Sequence, residues 1–551
     1  MGITLVMTPM ACKDQLDVGN PNQAPLTVVN EDDMAAFVKG AIYINGFRNG
    51  NDWLGNSWFS LPWGYSEIMA DHLGASASNN QITTIGQPDY IILDDATQVT
   101  NSGSSAVSIL RTYNSRAASG AGNNALLYQW LTMYALNNST NQILAKVESI
   151  TYDGDQTTSV NTIKALCYWW KGYAYQQIGS MYYAGLLIDE ADLSSTGSIV
   201  NSDYVSHTDV IAASDSYFNL AKTTLASISN TGDYETLMGK LIPDFNQVGR
   251  GGVLTTDMFI RNINTMLARN ILINHLAPFV NGNPNATITG ASMAAMTNTD
   301  WTNVLNLATA GVQDDDYIFT ARSTASNSIY SPTGGNVAAL AAANPTSSTF
   351  KVSERFIQNF KTGDLRLDNN FNSGTYNGDF TYTTRWRLRP NGLGVDGAWI
   401  YASRDAGAYE VVIAGSYEEN QLMLAEANIR LGNIDTGLGY IDNVRDYMGA
   451  GLAAVSGTGL TQAQALTELV MERKVALAFR GLSFFDVRRW GWTYDISKGG
   501  GAYGRVVRYG GIKNVNVTMN YHFMDYWDVP ADEAELNPPS GSSAAIVNPN
   551  F

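Results

Sequence analysis

TQAQALTELVMERKVALAFRGLSFFDVRRWGW, residues 461–492, decides the fold. Thr461-Gln462-Ala463-Gln464 has the form of a capping box, in which the Thr oxygen and the Gln side chain satisfy backbone amides that a helix start leaves unpaired. Leu466, Leu469, Val470, Arg473 and Leu477 then recur at helical spacing and fall on one side. A helix with that stripe packs against other elements. Arg488 and Arg489 stand next to Asp486 in the last turn or just beyond it. Glu472 and Arg473 through Trp490 are therefore predicted to serve the fold and not a ligand.

Upstream, Tyr417 to Met448 reads as two antiparallel helices. The first carries Leu424, Ala425 and Leu431 and stops at Gly432, which suits a left-handed C-cap. Asp435 or Thr436 can cap the second, which carries Leu438, Ile441 and Val444. Two helices in this span, with small Ala residues where they touch, resemble a tetratricopeptide unit. One unit cannot bury its own face, so several must stack. Other apolar helix faces run through Leu126, Trp130 and Tyr134, through Ile211, Phe218, Ala221, Leu225 and Ile228, and through Phe259, Ile263, Met266 and Leu267. Between them lie stretches rich in Asn, Gly, Ser and Thr, at 76–105, 281–300, 322–353 and 368–407. Long loops within a folded domain are commonly functional. Alternation at 380–388 and 503–509 suggests short strands there.

Glu472-Arg473, Gly481, Phe485-Asp486 and Arg489-Trp490-Gly491 together resemble the pattern of the SusD/RagB family, outer-membrane nutrient-binding lipoproteins of Bacteroidetes. Where that family often carries an acidic residue before the Gly and an Arg three positions on, this chain has Arg480 and Ser483, so an ion pair made there is absent or rearranged. The resemblance continues through SEIMADHLGA at 66–75, WLTMYALNNSTNQIL at 130–144, KALCYWWKGYAYQQIG at 164–179, YEENQLMLAEANIRLGN at 417–433, VPADEAELNP at 529–538 and the closing NPNF. It implies a mostly α fold: a tetratricopeptide-like superhelix of about four helix pairs, with loop-rich insertions and a few short strands. It implies a signal-peptide remnant at 1–11, a lipidated Cys12 and tether at 12–30, and one domain at 31–551. The implied function is non-catalytic. An oligomeric nutrient, in the first reading a glycan, is captured at the cell surface, on a lipid anchor in the outer membrane. It is then delivered to a TonB-dependent, SusC-like transporter, with no cofactor. An oligopeptide is the alternative ligand within the family. A surface glycoside hydrolase is the rival from another class, and a cleft with carboxylates about 5 to 10 Å apart would support it.

The 551 residues carry 50 acidic and 33 basic side chains, for a net charge of −17. A nucleic-acid binder needs clustered Lys and Arg, and no such run is present. Cys167 shares a helical stripe with Ile163, Trp170, Ala174 and Ile178 and is predicted to be a buried thiol. Cys12 follows the apolar run 2–11, which is shorter than the roughly 20 residues that span a bilayer. That run resembles the end of a secretory segment, although no Lys or Arg precedes it.

GGGAYG at 499–504 matches a dinucleotide-loop pattern, but RVVRY after it reads as a strand where a helix is required, so a turn is predicted. His72, His207, His275 and His522 form no zinc motif. Asp314-Asp315-Asp316 could supply oxygens to calcium, but the run reads first as a solvated helix end or turn. Sugars need flat aromatics for their C–H faces and polar groups for their hydroxyls. Trp53, Trp58 and Trp63 read as partly core. The candidate ligand-binding residues are the loop aromatics Tyr90, Tyr330, Tyr376, Trp386 and Trp399 with Asn79, Asn80, Asn327 and Arg385. In the resembling family such residues tend to come from the loop after the early helix and from insertions before the last helix pair, here 76–105 and 322–407.

Overall fold

The computed structural model describes residues 28–47, 63–75, 81–117, 123–191, 201–247, 249–279, 283–322, 350–380, 383–388 and 410–551. Thr461 Oγ1 accepts from the Gln464 amide, and Gln464 Oε1 accepts from the Thr461 amide at 2.9 Å, so the capping box forms. The helix it opens, Gln462–Ala476, buries Leu466 and Leu469, with Leu477 buried just past its end. The chain then turns at Gly481, whose φ is +70°. A Cβ there would stand 2.7 Å from the Trp63 indole nitrogen, so both the dihedral and the space demand glycine. Trp63 is accordingly buried in the core. A second helix, Ser483–Arg489, follows.

Glu472 and Asp486 are buried and paired. Glu472 accepts from Arg366 at 2.6 Å and from Arg445 at 2.9 Å. Asp486 accepts from Arg473 at 3.0 Å and from Arg489 at 2.8 Å, and Arg489 reaches Glu426 at 2.8 Å. Burial alone pushes the carboxyls of Glu472, Glu426 and Asp486 up, but the adjacent guanidinium charges outweigh it and hold all three below the usual range. Arg480 and Ser483 have separate partners: Arg480 pairs with Glu418 at 3.1 Å, and Ser483 donates to Glu67 at 2.9 Å.

Tyr417–Arg430 and Ile434–Tyr447 form the anticipated helical hairpin, with Gly432 left-handed between them. Its second cap differs from the expectation. Asn433 is the N-cap and no side chain caps the helix; Asp435 instead accepts from the Gly457 amide. The closest approach of the two helices is at Gly437, where a Cβ would meet Ile429 at 2.6 Å and the Ala425 carbonyl at 2.7 Å.

Leu127–Leu144, Gln156–Met181, His207–Ala226, Thr256–Ile273, Asn298–Thr309 and Tyr417–Arg430 pack in series, each on the next. Stacked pairs that bury their faces on neighbours pack this way. Gln156–Met181 is deeply enclosed, with Trp169, Trp170 and Cys167 all fully buried. Burial pushes the Cys167 thiol pKa up, as for an inert core cysteine. No helix among the described residues is long and apolar enough to cross a membrane.

Four antiparallel strands flank the helices in the order Ala502–Tyr509, Ile512–Asn520, Tyr90–Ile92, Gln98–Thr100. Gly510 and Gly511, both at positive φ, make the two-residue turn between the first two strands. GGGAYG thus leads into a strand and not a helix. Ile512–Asn520 is a strand the alternation did not reveal. Phe371–Asn377, inside the stretch read as loop, is another, and it pairs with Thr384–Leu388.

Candidate functional site

The Phe371–Asn377 and Thr384–Leu388 hairpin is anchored at both ends, by Phe371 at its base and by Thr383 and Thr384 at its turn, and its first strand is exposed in between. Phe371 is buried against Phe356 and Phe360, with ring centroids 5.9 and 5.8 Å away. Thr384 donates to the Val352 carbonyl, and Thr383 Oγ1 accepts from the Arg508 amide at 2.9 Å. Ser373, Gly374, Thr375 and Asn377 are exposed. The register slips between Ser373 and Asn377, which departs from plain two-residue alternation.

Three candidate residues meet there. The Arg385 guanidinium lies 5.1 Å from the Tyr376 ring centroid and 5.3 Å from that of Trp386. Arg385 Nε donates to Glu354 Oε1 at 3.1 Å, and the Tyr376 hydroxyl reaches the same oxygen at 3.4 Å. Lys513 Nζ stands 5.5 Å from the Tyr376 ring. Glu354 is nine-tenths buried or more, and the Arg385 side chain is 36% exposed, so the carboxylate anchors a guanidinium that solvent still reaches. Among the described residues, Glu354 Oε2 and Trp386 Nε1 are buried without a hydrogen-bond partner. Buried polar atoms of this kind call for a partner. The cluster therefore offers one acceptor, one indole donor and the partly exposed faces of a Tyr and a Trp.

Tyr90 does not join it. Tyr90 lies on Tyr90–Ile92, opposite Asn520, whereas Lys513 is seven residues away along the same neighbouring strand, roughly 23 Å at the usual rise. Burial, then the nearby Asp495, push the Tyr90 hydroxyl pKa up. Asn79, Asn80, Asn327, Tyr330 and Trp399 lie outside the described residues, as do Trp53, Trp58 and Cys12.

Two cavities escaped sequence reasoning. One, of about 240 Å³, is lined by Phe279, Trp492, Tyr503, Asn359 and Arg505 among others. The other, of about 480 Å³, lies between the loop near Pro284 and Trp301, with Arg430 at its wall. Neither lining includes an Asp or Glu. A third depression does hold Glu31, Asp153 and Asp233. There Lys240 binds Glu31 at 2.7 Å and Asp153 at 3.3 Å, while Asp233 accepts from the Asp155 amide at 2.6 Å. Asp316 is buried in an ion pair with Arg261, which leaves only Asp314 and Asp315 of that run exposed. Among the described residues, no three His, Cys, Asp or Glu side chains are grouped to hold a metal.

Comparison with known proteins places this architecture. A putative sugar binding protein from Bacteroides vulgatus ATCC 8482 aligns over 94% of this chain and 99% of its own, at 14% identity and a TM-score of 0.57. A protein solved with a xylogluco-oligosaccharide aligns over 94% and 98%, at 14% identity and a TM-score of 0.54. A SusD superfamily protein from Bacteroides thetaiotaomicron VPI-5482 aligns over 93% and 99%, at 14% identity and a TM-score of 0.50. At these identities the likeness is one of fold. No curated protein matches the sequence. Residues 417–540, which contain the helical hairpin, the capped helix and most of the paired Arg-Asp-Glu core, match the model of the SusD family.

Proposed function

We propose that this protein binds an oligosaccharide at the cell surface without breaking it, and passes it to a TonB-dependent outer-membrane transporter. The observation that carries the glycan reading is the meeting of Tyr376, Arg385 and Trp386 over Glu354 on a hairpin anchored at both ends. Partly exposed aromatic faces suit the C–H faces of a pyranose, and Glu354 and Arg385 suit its hydroxyls. A xylogluco-oligosaccharide partner in a protein of the same fold supports the ligand class. Tethering through a lipidated Cys12 supplies the surface location, supported by the apolar run before it and Lys13-Asp14 after it.

A glycan array on the intact chain, followed by calorimetry of Tyr376→Ala and Trp386→Ala, tests the reading. Each substitution is expected to cost on the order of 1 kcal/mol or more in binding while thermal stability is kept. Binding is expected to change little with salt, because stacking and neutral hydrogen bonds are not screened as ion pairs are. Wild-type affinity in both variants moves the site elsewhere. Collapse of binding in moderate salt replaces the glycan with a charged peptide.

A further inference from the structure

Arg505, on the Ala502–Tyr509 strand, is 4% exposed, yet its donors are poorly matched. Its Nη2 donates to the Arg355 carbonyl at 2.9 Å, and its Nε is buried with no acceptor among the described residues. Arg445 Nη1, Arg473 Nη1 and Arg488 Nε are likewise buried without an acceptor among the described residues, but these arginines have more partners than Arg505. Arg366, Arg445, Arg473 and Arg489 each hold a carboxylate. Arg488 donates to the carbonyls of Ser180, Asp525 and Ile273. The carboxylate acting on Arg505 is Asp71, which already accepts from Arg355 Nε at 2.6 Å and from the Tyr521 hydroxyl. Burial pulls the Arg505 pKa down, and the Asp71 charge offsets only part of that.

A second basic group lies beside Arg505, and burial pulls its amine pKa well below the usual lysine range. Lys474 is 3% exposed and donates to the Ala70 carbonyl at 3.2 Å. Its Nζ stands 4.1 Å from the Trp492 ring centroid, and the Arg505 guanidinium stands 4.8 Å from the same ring. Two buried basic groups thus lie beside one indole, and among the described residues neither has a carboxylate in contact. Leaving a buried charge unpaired is costly, and an incoming anion would recover much of that cost.

Trp492 and Arg505 also line the cavity of about 240 Å³, with Phe279, Tyr503, Gln358 and Asn359. That volume lies below the roughly 300–1,000 Å³ of drug-sized sites, so it suits a single ring. Asn359 spends its amide protons on the Arg355 and Phe356 carbonyls, which leaves Oδ1 to accept from a hydroxyl.

We infer that this cavity is a second ligand site, separate from the hairpin, for one carboxylate-bearing sugar ring of the uronate type. The carboxylate meets Arg505, and the ring lies against Trp492 and Tyr503. A guanidinium can take a carboxylate through two parallel hydrogen bonds, stronger than neutral ones. The choice of a sugar rests on the glycan reading; the demand for a carboxylate comes from Arg505 alone.

Calorimetry of the intact chain with glucuronate and galacturonate, against glucose and galactose, tests this. The uronates are expected to bind at least about tenfold tighter than the neutral sugars, the scale of one charge-assisted contact. Arg505→Met is expected to abolish that preference. Because Arg505 is buried, Thr467→Trp serves as an independent block: Thr467 is exposed on the cavity wall and touches neither basic group. It is expected to remove uronate binding while leaving the melting temperature and the hairpin's oligosaccharide binding intact. Tyr376→Ala is expected to leave uronate binding unchanged, so failure at the hairpin and failure here remain distinct. Equal affinity for acidic and neutral sugars, absence of uronate binding, or uronate binding that survives in folded Thr467→Trp would overturn the inference.

Discussion

Replacing Glu472 with Gln keeps the volume and removes one charge from the buried network. Glu472 is 2% exposed and accepts from Arg366 at 2.6 Å and Arg445 at 2.9 Å. The Gln oxygen can still accept one of these, but its amide protons then face a second guanidinium. Breaking a buried pair typically costs about 3–5 kcal/mol. Arg366 keeps Asp364 at 2.8 Å and Arg445 keeps Glu468 at 2.8 Å, which places the cost near the lower end, about 3 kcal/mol. For 551 residues the unfolding entropy at about 2.1 cal/mol/K per residue is roughly 1.2 kcal/mol/K, so a single cooperative transition should fall by about 2–3 °C at pH 7. The pH dependence isolates the cause. Because the Glu472 pKa is depressed in the fold, its contribution is present above the unfolded value near 4.5 and is lost as pH falls through the folded value. The gap between wild type and variant should therefore close in acid. Scanning calorimetry at neutral and acid pH, with ligand binding measured in parallel, makes the test. A gap that persists in acid, or lost binding at unchanged stability, would refute the assignment of this residue to the fold.

Burial raises the Asp215 carboxyl from 3.8 to about 6, with the Asn270 amide at 2.7 Å offsetting part of the effect. The protonated acid is the form the fold prefers, so the contribution of this group is best below the unfolded value and declines as pH rises through about 6. At pH 7 Asp215→Asn should stabilise by about 1–2 kcal/mol, the full shift being discounted for partial exposure, and near pH 4 it should be neutral; urea unfolding at the two pH values checks this. Cys12→Ala is expected to release the protein from the membrane fraction, since anchoring of this kind needs the acyl chains; mass spectrometry of the wild-type N-terminus and fractionation of the variant test it together.

Much of the scaffold was legible because it depends on local rules. Thr461 and Gln464 lie three apart and form their box whatever the rest of the chain does, and the Cys167 stripe follows from helical spacing. The failures are non-local. Glu472 finds Arg366, 106 positions away, and no periodicity reports such a partner. Phe371–Asn377 is a strand despite its Asn, Ser and Gly because it has Thr384–Leu388 to pair with and Phe356 to pack on. Asn433, and not Asp435, occupies the N-cap because the hairpin turn fixes where the second helix starts. In the candidate site, residue type was informative and proximity was not. Tyr376, Arg385 and Trp386 share a hairpin, while Tyr90, equally aromatic and equally flanked by polar residues, lies on a different sheet. Arg505 was invisible for a stricter reason: its interest lies in the contacts it lacks.

The short segment from Ser353 to Phe360 explains why the hairpin and the cavity can be separate sites on one rigid support. Its backbone is tied on one side to His72 through the Ser353 amide at 2.9 Å, and on the other to Thr383 through the Glu354 amide at 2.8 Å. Successive side chains then diverge. Glu354 reaches Arg385, Arg355 takes Asp71, Phe356 packs on His72 and Phe371, and Asn359 lines the cavity. A support held by a buried ion pair and an aromatic cluster has little freedom to lose when a ligand arrives, which favours affinity at both places. The same rigidity argues against communication between them. Coupling requires an element with two arrangements that both ligands bias, and each contact of this segment opposes a second arrangement. An acidic ring at Arg505 and a neutral chain on the hairpin should therefore add as independent contributions, so a branched glycan carrying both would gain through effective concentration and not through cooperativity.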